Sequence, residues 1–473
     1  MSADASHAET DAPNAGRAPA DTVLRGGVIH TLDPRESVVS ALAATGGEIV
    51  ALGSDAAVEA LIGPDTTVIE LGGRSVLPGI NDAHLHGVWL GAKWPEMMFG
   101  GSREGWDTRL LSSEDDRRAA IRKTFELLAS FGVTSFTEPG LGPGEDDGVT
   151  GCFGSNILES YAALAGTAAQ TARVTALRLF GILDGASHFA DVKEGLEVPL
   201  PETDPRWLNV TGIKIFGDGI PPMRNAWIRS DYRDSGGHGG LMTGDGDEEA
   251  RLAEFRDMIT YAHERNLQIG VHATGDRTIE EFIAQVERLG GAGDLRHYVI
   301  HGDLIDADQL QRLQAIGMGI DLQPLIGDFT GEWLRAAVTD EVADAAWPLH
   351  LMLGDGLRAI LSSDAPVASP DWRQITASAA RQLEAQGVTL DRTVTTRLLR
   401  MYTSVPAEQD FAEGWKGTLE AGKVADLCVI DADPYAVGPK NFGDLNVDLT
   451  MVDGRVVFER EGVSLAARRG VTV

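Results

Sequence analysis

A (β/α)8 barrel between two β-rich chain ends is the fold class this sequence predicts, and three observations predict it. Eight strand-like segments recur through the middle of the chain, and helix-like patterns separate several of them. The chain has 473 residues, 43% of them hydrophobic, which suits one large core with a small domain beside it. Strands that alternate with helices build parallel sheets, because the chain must cross back to the same end before each new strand. A doubly wound open sheet is the alternative arrangement of the same pattern.

Residues 1–20 are polar, Ala-rich and acidic. They lack the basic and apolar regions of a secretory signal and read as a disordered tail. "TVLRGGVIHTLD" (22–33), "GGEIVALG" (46–53) and "TTVIELGGRSVLPG" (66–79) read as short strands with Gly-marked turns. "SVLPGINDAHLH" then supplies a first barrel strand ending at His86. "VTSFTE" (133–138), "RVTALRLFGILD" (173–184), "TGIKIFGDG" (211–219) and "LQIGVHATGD" (267–276) follow, then "HYVIHGD" (297–303), "MGIDLQP" (318–324) and "LRAILSSDA" (357–365). Helical periodicity lies between several of these, as in residues 116–132, 248–266 and 277–290. Beyond the barrel, residues 417–434 and 447–462 return to short strands, and Asp453-Gly454 between apolar runs marks a hairpin.

A barrel of this kind carries its chemistry at the C-terminal strand ends. His84 and His86 stand there on strand 1, Glu138 on strand 2, Lys214 on strand 4, His272 on strand 5, His301 on strand 6 and Asp364 on strand 8. In a strand, residues i and i+2 share a face, so His84 and His86 project together while Leu85 faces away. Two neutral imidazoles side by side suit one cation. A single strand-end histidine is more often a hydrogen-bonding residue than a ligand. Metal-capable groups at so many strand ends are harder to explain in that way.

Composition narrows the class further. A formal charge of −31 and a pI of about 4.6 argue against nucleic acid and anionic membranes as partners. No apolar run of about 18 residues occurs to span a bilayer. Cys152 and Cys428 are the two cysteines, which gives no disulfide framework and suits a reducing cytoplasm. The expected partner is a small-molecule substrate; homo-oligomerisation is left open.

The motifs "LPGINDAHLH", "GIKIFGDG", "GVHATGDRTIE", "VIHGDLI", "LSSDAPV" and "GTLEAGKVADLCVIDADP" resemble the amidohydrolase superfamily. More narrowly they resemble amidohydrolase family 3, the YtcJ-like metal-dependent hydrolases. The resemblance implies a metal-bearing barrel over residues 76–411 and a small β-sandwich built from residues 21–75 and 412–473. It implies metal ligands at His84, His86, His272 and His301, with Asp364 as catalytic carboxylate beside the metal. Lys214 matches a strand-4 lysine that some relatives carbamylate to bridge two metals. The sequence departs from the family at "PGIND" and in the segment between Trp89 and Asp116, so the substrate pocket does not transfer.

The chemistry follows from the residue types. Zn²⁺ accepts imidazole nitrogen at about 2.0–2.1 Å and lowers the pKa of bound water to about 7. One or two ions fit the set, and another divalent metal is open. Asp364 beside the metal takes a proton from the attacking water and returns it to a leaving nitrogen. Lys214 is either carbamylated, in a two-metal site, or paired with Asp218 or Asp364 in a one-metal site.

Weaker candidates surround this set. Glu138 binds metal or orients a ligand histidine from behind. Asp276 opens a helix, as an N-cap or a substrate contact. His188 and His238 sit on loops, His238 in a Gly-rich segment that could form a lid. Trp89, Trp94 and Trp347 suit either an apolar pocket or the core. The expected activity is hydrolysis of a C–N bond in an amide, N-substituted formamide or cyclic amide. Deamination of an amino-heterocycle and a non-catalytic binding role on the same scaffold are the alternatives.

Overall fold

In the computed structural model, which describes residues 18–99, 106, 108–234, 236–463, 465 and 467–469, eight parallel strands form one sheet in sequential order. They are Ile80–Asp82, Val133–Leu141, Arg173–Leu179, Leu208–Phe216, Gln268–Ala273, Tyr298–His301, Gly319–Leu322 and Arg358–Leu361. The ring is completed just beyond the last and first strands. Leu85 and Ala365 form a parallel bridge there. Asp364 N–H donates to His84 O and His86 N–H to Ala365 O, both at 2.7 Å. The barrel therefore closes through the backbone of the residues that the sequence singled out.

Helices cover the outside. Glu114–Ser130 begins at a capping box between Ser113 and Asp116, and Ala307–Ala315 at one between Asp306 and Gln309. Glu248–Glu264 is capped by Asp247, whose side chain accepts from Ala250 N–H. The helix after strand 3, Phe189–Gly195, has only two turns' length. No helix among the described residues is long and apolar enough to cross a membrane.

Two further sheets form a separate domain from both chain ends. The six-stranded sheet runs Arg455–Glu459, Val447–Val452, Leu427–Ile430, Ser75–Pro78, Val28–His30, Val38–Val39. The five-stranded sheet includes Thr67–Glu70, Thr22–Arg25, Ala41–Thr45 and Glu48–Gly53. Leu24, Leu42, Val76, Leu427 and Met451 pack into one buried cluster that joins them. Asp453 and Gly454 have φ of 54° and 71°, the left-handed pair a two-residue hairpin requires. A buried Arg173–Asp426 ion pair at 2.7 Å ties barrel strand 3 to this domain.

Three details differ from the sequence reading. The apolar run before the histidines is two strands rather than one: Ser75–Pro78 pairs with Leu427–Ile430 in the sandwich, and the barrel starts at Ile80. Gly79 makes the crossing, and a Cβ there would come within 2.0 Å of Thr134 Oγ1. His84 and His86 lie past the end of the barrel strand rather than in it. The tail expected over residues 1–20 lies outside the described residues up to 17, and Ala20 is already buried, with its N–H donating to Leu61 O.

Candidate metal centre

His84 and His86 leave strand 1 on either side of the Leu85 bridge, so their rings face the barrel axis and stand 5.4 Å apart, nearly perpendicular. Asp364 comes from the loop after strand 8. Its Oδ1 lies 3.3 Å from His84 Nε2 and 3.4 Å from His86 Nε2. One ligating atom from each of these three side chains lies within 4.8 Å of the other two. His301 stands 5.4 Å from His84, and His272 4.4 Å from His301, centroid to centroid. All five line one cavity of about 140 Å³ together with Lys214. His301 and Asp364 have φ of 77° and 57°, a conformation that non-glycine residues adopt at an energetic cost, and one found often at functional sites.

The nitrogen of each ring that faces away from the others decides what the near nitrogen can do. His86 Nδ1 is 3.3 Å from Glu138 Oε1, while Glu138 Oε2 accepts from Gly87 N–H and Tyr161 O–H. His301 Nδ1–H donates to Gln323 Oε1 at 2.6 Å. His272 Nε2–H donates to Gly219 O at 3.1 Å. In each case the acceptor fixes the proton on one nitrogen and leaves the lone pair of the other for a cation.

Charge in the site follows from burial. Burial holds the His84 and His301 imidazoles down at about 3, and His272 well below its ordinary value. Burial also opposes charge on His86, but its hydrogen bonds to Asp364 and Glu138 outweigh this and raise it to about 9. Desolvation pushes the Asp364 carboxyl up, and the histidines around it overcome that and hold it well below the usual carboxylate range. Neutral imidazoles at His84, His272 and His301, with His86 giving up its second proton to a bound cation, surround an ionised carboxylate; this is the donor set of a borderline divalent ion such as zinc, so the residues present fit one.

Lys214 alternates with Ile213 and Ile215, which pack in the outer core, and its own side chain is buried in the cavity wall. Its Nζ lies 4.8 Å from the Phe216 ring centroid, and desolvation lowers its pKa to about 8. It makes no ion pair with Asp218 or Asp364. Asp218 instead accepts from Trp227 N–H, Thr274 N–H, Gly275 N–H and Thr278 O–H, knotting the loop after strand 4 to the next helix.

The weaker candidates divide. Glu138 sits behind His86, as described, and Trp89 lines the cavity. Asp276 accepts from Arg229 N–H at 2.8 Å and stands one position inside a helix whose N-cap is Gly275; it is not part of the cavity wall. His238 pairs with Glu248 at 3.3 Å on the outside, and His188 caps a helix without a side-chain bond. Trp94 packs on Phe131, and Trp347 Nε1–H donates to Asp303 Oδ1 at 3.0 Å behind the wall. Asp321, Gln323 and Asp303 escaped the sequence reading. The available signal was alternation: Asp321 and Gln323 share a face of "MGIDLQP", and Asp303 follows His301 by two.

The Amidohydrolase family model matches residues 99–458. YtcJ of Bacillus subtilis strain 168 is 25% identical over 256 residues, 52% of this chain and 47% of that protein. The N-substituted formamide deformylase of Arthrobacter pascens is 28% identical over 231 residues, 48% of this chain and 43% of the enzyme. The chain thus spans about half the length of the curated relatives it matches. Among solved structures, an uncharacterised metal-dependent hydrolase from Pyrococcus horikoshii superposes with a TM-score of 0.70 at 17% identity. That superposition covers 89% of this chain and 99% of the other, and is a likeness of fold. Because the family match spans most of the sequence, including strands 2 to 8 of the barrel, the chain belongs to the amidohydrolase family.

Proposed function

We propose that the chain is a metal-dependent hydrolase that cleaves a C–N bond of a small molecule, in an amide, N-substituted formamide or cyclic amide. The observation that carries this reading is the Asp364 carboxylate, held buried between His84 and His86 in the wall of the cavity. His84, His86, His272, His301 and Asp364 would hold zinc or another divalent ion, and a carbamylated Lys214 would add two oxygens for a second. When bound, such an ion supplies Lewis-acid polarisation of the carbonyl and a lowered pKa for water.

The chain's own residues do the rest. Asp364 accepts one proton from water as the new C–O bond forms. It then delivers that proton to the nitrogen as the C–N bond breaks, because an amide anion is a very poor leaving group. Glu138, Gln323 and the Gly219 carbonyl keep three histidines in one tautomer and orientation. Trp89, Phe99, Phe216, Ile220, Ile326 and Val367 give the cavity an apolar wall, which excludes bulk water and favours a substrate with an apolar substituent. The likeness to the formamide deformylase supports the formamide member of the class. A cytoplasmic location fits the buried free thiols of Cys152 and Cys428.

A screen of the zinc-loaded protein against N-substituted formamides, amides, lactams, ureas and amino-heterocycles tests the reading. Turnover of one of the first three classes, lost in Asp364→Asn, is the expected result. Release of ammonia from amino-heterocycles alone would replace it with the deaminase reading.

A further inference from the structure

Strand 7 and the residue that follows it supply two alternate positions on the side of the site, Asp321 in the strand and Gln323 just past its end. Gln323 holds His301 through its Nδ1–H. Asp321 has no such occupation. It is wholly buried, and neither carboxylate oxygen makes a hydrogen bond within the described protein. Burial, with the Asp82 and Asp364 carboxylates nearby, holds the Asp321 carboxyl well above its ordinary value against the opposing pull of the Ser362 hydroxyl, which accepts from Gln323 Nε2–H. An orphaned buried carboxyl destabilises a fold, so its presence calls for an explanation outside stability.

The nearest explanation is 3.8 Å away. His84 Nδ1 is also buried and also without a hydrogen-bond partner, and Asp321 Oδ2 is the carboxylate oxygen that meets it at that distance. Of the histidines in the site, His86, His301 and His272 each have an acceptor behind the far nitrogen. His84 alone lacks one. Its Nε2 faces Asp364 Oδ1, in the position of a ligating atom. When Nε2 gives its lone pair to a cation, the ring proton resides on Nδ1 and needs an acceptor. A shift of about 1 Å closes the gap to Asp321 to hydrogen-bond length.

We infer that Asp321 is the positioning residue for His84: on cation binding, His84 Nδ1–H donates to the Asp321 carboxylate, and two buried orphans satisfy one another. The inference rests on the metal reading above. That hydrogen bond would hold the His84 ring with Nε2 toward the cation, which tightens the ion's affinity.

The test compares wild type with Asp321→Leu and Asp321→Asn, measuring the Zn²⁺ dissociation constant by competition with a chromogenic chelator. The melting temperature of each metal-free protein is measured alongside. Asp321→Leu should bind zinc about 10–100-fold more weakly, while its metal-free form melts at or above the wild-type temperature. Asp321→Asn, whose carbonyl still accepts, should bind more tightly than Asp321→Leu. Should leucine prevent folding, NMR of the other two proteins decides. Zinc loading should bring up a downfield ring N–H proton from His84 whose position changes in Asp321→Asn. Equal affinity in wild type and Asp321→Leu, or no such resonance in loaded wild type, overturns the inference and leaves the metal reading standing. A wild type that takes up no zinc overturns both.

Discussion

At the base of the barrel, far from the site, His297 offers a sharp test of how burial sets acid stability. It is fully buried, and both ring nitrogens are committed. Nδ1 accepts from Ile269 N–H at 3.1 Å, so the proton sits on Nε2, which is 3.0 Å from His263 Nδ1 and donates to it. A second proton would place an N–H against the Ile269 N–H, with no solvent to relieve it. Burial accordingly pushes His297 down to about 3. An unfolded histidine titrates near 6.5. The folded-state value lies below the unfolded one, so the stabilising contribution is full above about pH 6.5 and is lost as the pH falls toward the folded value. At pH 5 the loss is about 2 kcal/mol relative to pH 7.5, and any folded value below about 4.5 gives nearly the same figure. Urea unfolding of the metal-free wild type and of His297→Gln, at pH 7.5 and pH 5, measures it. The glutamine variant starts less stable but should lose about 2 kcal/mol less on acidification, so the two proteins converge at pH 5. Parallel losses in both would refute the reasoning, because the metal-site histidines are common to the pair and cancel.

Three other outcomes are expected at the site. Asp364→Asn keeps the side chain's size but not its basicity, and should lower turnover by about 10²–10⁴ with metal content largely retained; near-normal turnover would move the proton carrier elsewhere, with Glu138 the next group to test. Chelation should abolish hydrolysis and added zinc restore it, and His84→Ala with His86→Ala should lower metal occupancy far more than His188→Ala, as read by metal analysis. Lys214→Ala should take bound metal from two ions to one per chain, with partial recovery of activity from short carboxylic acids in the buffer; a wild type holding one ion beside an unmodified lysine would rule out the carbamate.

Much of this molecule is legible without coordinates, because backbone periodicity is local. Alternating apolar residues bounded by glycine mark the strands, helical periods mark the crossovers, and Asp453-Gly454 supplies the left-handed turn that a tight hairpin demands. The i, i+2 spacing of His84 and His86 puts both rings on one side where the backbone stays extended, as it does across the Leu85–Ala365 bridge. Local periodicity does not say which strand pairs with which. The run from Ser75 to Asp82 reads as one strand, yet Ser75–Pro78 belongs to the sandwich and Ile80–Asp82 to the barrel, since only the pairing partners distinguish them.

The same limit governs the site. His84 and Asp364 are far apart in the chain and meet because ring closure bonds Asp364 N–H to His84 O. Asp321 behind His84 is likewise a product of barrel closure, Gln323 behind His301 of the pairing of neighbouring strands, and His263 against His297 of a helix packed on the sheet. Which residues point inward is a property of the strand, readable from the sequence. Which inward residues come within a hydrogen bond of each other depends on register between strands, and that is set by the closed sheet and its packed helices rather than by any one segment.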